Sequence, residues 1–140
     1  MKAAVFAGPC RLELRELPKP AFGPREVLVK VLGCGVCGTD LHIYRGELAA
    51  ARPPVVLGHE IFGEIEAVGE EVSLLRTGQR VALDPFIACG ACSFCKNGQE
   101  RFCLNETFLG YQRSGGFAQY TTAPELNAYP LPAGTGLEAG

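Results

Sequence analysis

Four cysteines within fifteen residues constrain this chain more than any other feature of its sequence. They follow the spacing C-x2-C-x2-C-x7-C and are Cys89, Cys92, Cys95 and Cys103. Four thiolates on one short loop can surround a single Zn²⁺ tetrahedrally, with each sulfur about 2.3 Å from the metal. Gly90 and Gly98 permit the sharp turns that such a loop needs. Because the protein supplies all four ligands, no position is left for water or substrate, and the sequence predicts a structural zinc site.

Length and charge exclude several classes of protein. A chain of 140 residues suits one domain with a sizeable core. Its 13 basic and 15 acidic residues give a formal net charge of −2, without a basic cluster, which argues against a nucleic-acid or acidic-membrane partner. The first residues, MKAAVFAG, are typical of neither a secretory signal nor a membrane span. We therefore expect a cytoplasmic protein, in which seven cysteines favour metal binding over disulfides.

Glycine and proline are spread along the whole chain, a pattern typical of many short strands. Strands are predicted over residues 2–7, 12–17, 26–32, 61–68, 80–86, 117–122 and 128–131. Helical signals are poor, and one short helix is predicted over 39–44, with Thr39 or Asp40 as its N-cap. The sequence therefore predicts a mainly β, barrel-like fold with short helices and one metal-binding lobe at about 88–104.

A second group of residues has the composition of a metal site. Cys37, His59 and Glu60 are all competent zinc ligands, and three ligands leave a fourth position for water or substrate. Thr39 offers a hydroxyl two residues from Cys37, where it could take a proton from an alcohol. His42 follows three residues later and could pass that proton outward.

Each of these residues also has a purely structural explanation. A cysteine beside glycine is commonly a small core residue, and His59 in an apolar run could be a buried histidine with its hydrogen bonds satisfied. Glu60 could be a solvated charge at a strand end, and His42 could lie on the surface without a chemical role. Asp40 could cap the helix, or accept the second ring N–H of His59. On the residues alone these alternatives stay open.

Two further patterns compete with the metal hypothesis. Residues 33–38 match the dinucleotide-binding pattern G-x-G-x-x-G. We interpret that match as coincidence, because the pattern requires a long helix and a second parallel strand, whereas Arg52-Pro53-Pro54 breaks any continuation. Cys34 and Cys37 also have the spacing of a thiol redox pair, which is a further alternative to ligation by Cys37 alone.

Taken together, the motifs resemble the zinc-dependent medium-chain alcohol dehydrogenases. The run GHEIFGEIEAVGEEV fits the zinc signature of that family, G-H-E-x2-G-x5-G-x2-V. The segment CGTDLH around Cys37 and the four-cysteine lobe are the other two marks of the family, in the expected order. The resemblance extends over essentially all of residues 1–140, which look like the N-terminal GroES-like catalytic domain. CGTDLHIY is most similar to threonine and polyol (sorbitol-like) dehydrogenases.

The resemblance implies a partly open β-barrel and a set of residue roles. Cys37 and His59 would bind a catalytic zinc, with Glu60 as a direct or alternate ligand. Thr39 and His42 would form a proton relay, and the four cysteines of the lobe would hold a structural zinc. The implied reaction is NAD(P)-dependent oxidation of a secondary or polyol-type alcohol to a ketone, with a small-molecule alcohol as the partner.

One departure from the family concerns the coenzyme. The family continues into a Rossmann domain that binds NAD or NADP, and that domain and the remaining zinc ligand would lie beyond Gly140. We therefore expect an excised domain or an abbreviated gene product that is inactive alone. Members of the family are dimers or tetramers, so the resemblance also implies a homo-oligomer. The alternative is a stand-alone structural zinc-binding domain without catalytic activity.

Overall fold

A computed structural model describes residues 1–132 and 134–136 of the chain. This described part contains ten strands: β1 Lys2–Gly8, β2 Arg11–Glu16, β3 Glu26–Gly35, β4 Val55–Val56, β5 Glu60–Val68, β6 Arg80–Leu83, β7 Phe86–Ile87, β8 Thr107–Phe108, β9 Tyr120–Pro124 and β10 Ala128–Pro130. The mainly β fold expected from the sequence is confirmed. Residues 133 and 137–140 of the expected domain lie outside the described residues.

The strands form two principal sheets and a small ribbon. One sheet has the order β2-β1-β4, the second has the order β10-β6-β5-β3-β9, and β7 pairs with β8. All of these strand pairs are antiparallel. Strands β1 and β2 follow one another along the chain, whereas β4 joins β1 from some fifty residues away.

The core lies against the inner face of the five-stranded sheet. Val27 and Val29 of β3 and Ile65 of β5 are fully buried. In β5, buried residues alternate with exposed or half-buried ones, as expected for a half-buried strand, whereas in β3 Leu28 is buried as well. The β3–β5 ladder shifts register at two points, between Leu28 and Val29 and between Val31 and Gly33. Such bulges bend and twist a strand, which is how this sheet curls towards a partly open barrel.

Helical structure is short and local. The described residues include two α-helices and two 3₁₀ turns: α1 Gly38–Arg45, α2 Ser93–Lys96, Glu100–Phe102 and Glu125–Asn127. Helix α1 ends at Gly46, whose φ of 78° is the left-handed conformation that glycine adopts at low cost. None of the helices in these described segments is long and apolar enough to cross a membrane.

Several predicted boundaries were wrong for identifiable reasons. The predicted strand 80–86 is two strands, because Asp84 and Pro85 leave the ladder and the Asp84 N–H instead donates to the Asn127 carbonyl. The predicted strand 117–122 begins at Tyr120, because the Phe117 carbonyl accepts from Ala4 of the other sheet. Strands β4 and β8 were missed, since two residues are too few to show a period.

The glycines of the G-x-G-x-x-G pattern serve the β-sheet. Gly33 and Gly35 both lie within β3, which pairs with antiparallel neighbours. A Cβ atom at Gly33 would lie 2.2 Å from the Phe62 ring, and one at Gly35 would lie 2.1 Å from the Glu60 carboxylate. At these positions glycine leaves room for side chains from β5 to cross over β3, which confirms that the fingerprint match is coincidental.

Candidate metal centres

Cys37 lies immediately before helix α1, and the start of this helix fixes the position of the Cys37 thiol. Cys37 is the N-cap, in an extended conformation, and its N–H donates to the Asp40 carboxylate at 3.0 Å. The expected N-cap, Thr39 or Asp40, was therefore wrong by two or three residues. Asp40 instead occupies the third helical position, from which an acidic side chain reaches back to the free N–H at the helix start.

Asp40 also connects the helix start to the second motif. Its carboxylate is almost fully buried, and Oδ1 accepts from the Gly58 N–H at 3.3 Å. The same Oδ1 lies 3.5 Å from Nδ1 of His59, which is itself buried. A carboxylate beside one ring nitrogen favours the proton there and leaves the other nitrogen free to bind a metal.

Cys37, His59 and Glu60 come together in space, as the metal hypothesis requires. Their ligand atoms all lie within 4.8 Å of one another. Neighbouring ligands of a tetrahedral zinc, at about 2.0 to 2.3 Å from the metal, are separated by roughly 3.5 Å, so small side-chain movements suffice to close the shell. A thiolate, an imidazole and a carboxylate are all ligands that zinc accepts. The residues therefore fit a zinc ion with a fourth position open.

Strand pairing positions Glu60 in this group. Glu60 is opposite Gly35 at the end of the β3–β5 ladder, and its carboxylate lies over the glycine Cα. The side chain is exposed, at the edge of a groove of about 610 Å³ that runs along β3, β5 and β6. Of the three candidate ligands, Glu60 is the one that lines this groove, so its carboxylate is accessible to a small molecule.

The two predicted relay residues lie in different surroundings. The Thr39 hydroxyl is 3.6 Å from the sulfur of Cys37, one of the three candidate zinc ligands. His42 lies one turn further along α1 with 59% of its side chain exposed, and its Nδ1 is 2.5 Å from a Glu47 carboxylate oxygen. Thr39 is thus beside the ligands, whereas His42 faces solvent.

Tyr111 belongs to the site and was missed by the sequence analysis. Its hydroxyl lies 3.4 Å from Nδ1 of His59, and the two rings meet edge to face at 5.3 Å. Burial raises the pKa of Tyr111, an effect that a hydrogen bond with the Thr39 hydroxyl partly offsets. No sequence signal marks this tyrosine, because 52 residues separate it from His59.

The four cysteines of the lobe form the other cluster. Their sulfurs also lie within 4.8 Å of one another, and the closest measured pair is Cys92 and Cys95 at 3.5 Å. Backbone N–H groups donate to these sulfurs, from Cys92 to Cys89 at 3.4 Å and from Cys89 to Cys103 at 3.2 Å. Such bonds favour thiolates, the form that binds zinc.

The lobe thiols differ in acidity because their surroundings differ. Hydrogen bonds from the Cys95 and Leu104 backbone lower the pKa of Cys92 to about 6. Burial and neighbouring thiols raise the pKa of Cys95 to about 12. Gly90 and Gly98 have φ values of 68° and 70°, so the turns expected at these glycines are present. The lobe has the donor set and backbone geometry of a closed zinc site.

Cys34 has the surroundings of a core residue. Its sulfur packs where a Cβ at Gly58 or at Gly116 would lie, 2.8 Å away in both cases. Burial raises the pKa of Cys34 to about 12, and the Asp40 carboxylate adds to the increase. A thiol held in its neutral form is a poor nucleophile, so the environment disfavours the Cys34–Cys37 redox alternative.

Comparisons with known proteins find relatives over most of the chain. Residues 23–133 match the family described as alcohol dehydrogenase GroES-like domain. The starvation-sensing protein RspB of Escherichia coli K12 is 45% identical over 134 residues, 94% of this chain and 39% of that protein. An L-threonine 3-dehydrogenase of Symbiobacterium thermophilum is 42% identical over 119 residues, 83% of this chain and 34% of that protein.

A solved structure gives the same result. The alcohol dehydrogenase rspB of Escherichia coli CFT073, in complex with the cofactor NADH, superposes with a TM-score of 0.89 at 41% identity. The match covers 99% of this chain and 40% of the solved one. The chain thus spans well under half the length of the proteins that it matches.

Proposed function

Because the chain belongs to the alcohol dehydrogenase GroES-like domain family, we propose that residues 1–140 form the zinc-binding catalytic part of an NAD(P)-dependent alcohol dehydrogenase. One observation carries the proposal: two ligand clusters of different composition occur in one small domain. The four-cysteine cluster, within a lobe at about 88–104, is closed by its own ligands. The three-residue cluster leaves a fourth zinc position open, and its Glu60 lines a groove.

The proposed residue roles follow from the positions of the side chains. Cys37, His59 and Glu60 hold the catalytic zinc, which when bound supplies Lewis-acid polarisation of an alcohol oxygen. Thr39, beside the Cys37 sulfur, takes the hydroxyl proton from the substrate. His42, exposed and paired with Glu47, passes the proton to solvent. NAD or NADP would be held by parts of the protein outside these residues.

The proposed substrate is a secondary alcohol, oxidised to a ketone. Support comes from the L-threonine 3-dehydrogenase relative and from the groove beside Glu60, which is large enough for a small molecule. We also propose a cytoplasmic homo-oligomer. The cysteines are free thiols in the structure, as expected in a reducing compartment.

Metal stoichiometry tests the proposal directly. Zinc-loaded protein should contain two zinc ions per chain by mass spectrometry under native conditions. Cys37→Ser should lose one of them, because it removes a ligand from the three-residue site, and should retain the zinc of the lobe. Cys10→Ser is the matched control, since Cys10 is exposed and belongs to neither cluster, and it should keep both ions.

A different count would favour the alternative function. One zinc in the wild type, with no change in Cys37→Ser, would indicate a stand-alone structural zinc-binding domain and would contradict the catalytic assignment.

A further inference from the structure

We propose that Tyr111 is a positioning residue of the Cys37–His59–Glu60 site, and that its hydroxyl holds the His59 ring in place. The inference rests on the proposed function of that site. It assigns a role to a segment far from both motifs in the sequence.

The Tyr111 hydroxyl lies beside Nδ1 of His59, where it would orient the ring for a metal bound at Nε2. It is 3.4 Å from Nδ1, while Asp40 Oδ1 lies 3.5 Å from the same nitrogen. An N–H at Nδ1 would therefore face both a carboxylate oxygen and a phenol oxygen. Two acceptors that approach one N–H from different directions restrict rotation of the ring more than either acceptor does alone.

The backbone around Tyr111 is held firmly enough to fix a side chain. Gly110 has a φ of 83°, and its Cβ position would lie 2.9 Å from the Gly58 carbonyl oxygen, so the two backbones touch one residue before His59. The Gly116 N–H donates to that same carbonyl at 2.8 Å. The Tyr111 ring stacks on Phe108, with centroids 5.1 Å apart and planes 10° from parallel. Residues 108–116 thus hold the Tyr111 ring in contact with the His59 ring.

Substitution by phenylalanine separates this role from simple packing. Tyr111→Phe keeps the ring and its contact with Phe108 but removes the hydroxyl. If the tyrosine only fills space, metal binding should not change. If the hydroxyl positions His59, Co²⁺ used as a probe should bind the three-residue site about tenfold more weakly, the lower end of the range for groups that orient metal ligands. The visible spectrum of that Co²⁺ should also change.

The experiment is a Co²⁺ titration of the zinc-free chain, with spectra recorded throughout. The four-cysteine lobe is an internal reference, and its affinity should be the same in wild type and variant. Tyr129→Phe is the matched control, because Tyr129 is mostly exposed, and it should leave both sites unchanged. Equal affinities and spectra for wild type and Tyr111→Phe would overturn the inference while leaving the proposed function intact.

A measurement on the wild type covers the case in which the variant fails to fold. In zinc-loaded protein, the Nδ1 proton of His59 should be visible by nuclear magnetic resonance and close to the Tyr111 ring protons. A proton on Nε2 instead would overturn the inference. A wild type that binds metal only at the lobe would contradict both the inference and the proposed function, so the two failures are distinguishable.

Discussion

At the scale of single residues, the three-residue site depends on a glycine as much as on its ligands. Gly35 has no metal-binding group, yet the Glu60 carboxylate occupies the space that a side chain there would fill. The resemblance to the alcohol dehydrogenases predicted that Cys37, His59 and Glu60 meet. It gave no indication of Gly35 or Tyr111, because their roles depend on strand pairing and on a loop that arrives from fifty residues away.

Gly35→Ala should therefore weaken metal binding without unfolding the chain. The new methyl group would lie 2.1 Å from a carboxylate oxygen at the end of a flexible side chain, so Glu60 can swing away. We expect Co²⁺ affinity at this site to fall about tenfold or more, and the free energy of unfolding to change by less than about 1 kcal/mol. Gly38→Ala is the control, since a Cβ there meets nothing within 4 Å. Unchanged affinity in Gly35→Ala would argue that Glu60 takes no part in the site.

At the scale of elements, the sequence predicted long strands well and short ones poorly. Strands β1, β3 and β5 are long enough for a run of apolar and β-branched residues to mark them. Two-residue strands such as β4 form only because a distant partner is already in place, so no local pattern reports them. The lobe was predictable for another reason: its cysteines carry the information in their spacing rather than in hydrophobic periodicity.

The lobe should depend on metal while the sheet does not. Of its residues, Cys95 and Cys103 are buried, whereas Phe102 is 65% exposed, so little apolar burial is available to hold it. Removing zinc with a chelator, or Cys92→Ser, should abolish hydrogen-exchange protection over residues 88–104, because metal binding supplies the folding energy there. Protection in β3 and β5 should persist, and Cys10→Ser should behave as wild type. If hydrogen-exchange protection were also lost across the five-stranded sheet, the folding of the sheet would depend on zinc as much as the folding of the lobe does.

At the scale of the whole molecule, an ion pair ties the segment that carries Tyr111 to the central strand. Arg113 donates to Glu26 at the start of β3 at 2.8 Å, and to Thr122 of β9 at 3.2 Å. The Gly23 N–H donates to the other oxygen of Glu26 at 2.9 Å. Both Glu26 and Arg113 are largely buried, so the pair is screened less than a surface salt bridge would be. It therefore connects the loop of the metal site to the scaffold of the fold.

This pair should contribute to acid sensitivity of the fold. Burial acts to raise the pKa of Glu26, but hydrogen bonds from Gly23 and Arg113 outweigh it, so the pKa is lower in the folded chain than its ordinary value of 4.5. The pair's contribution to stability is thus complete above the unfolded pKa and is lost as the pH falls through the folded pKa. Glu26→Gln should reduce the free energy of unfolding by about 1–2 kcal/mol at pH 7, and the difference from wild type should shrink towards zero in acid.

Urea unfolding of both proteins between neutral and acidic pH measures this difference. Zinc release in acid affects both proteins alike and therefore cancels when they are compared. Glu70→Gln, at an exposed carboxylate, is the matched control and should track the wild type throughout. If the free energy of unfolding of Glu26→Gln stayed below that of the wild type by the same amount at every pH, the charge of Glu26 would not be the cause. The ion pair with Arg113 would then not hold the metal-site loop.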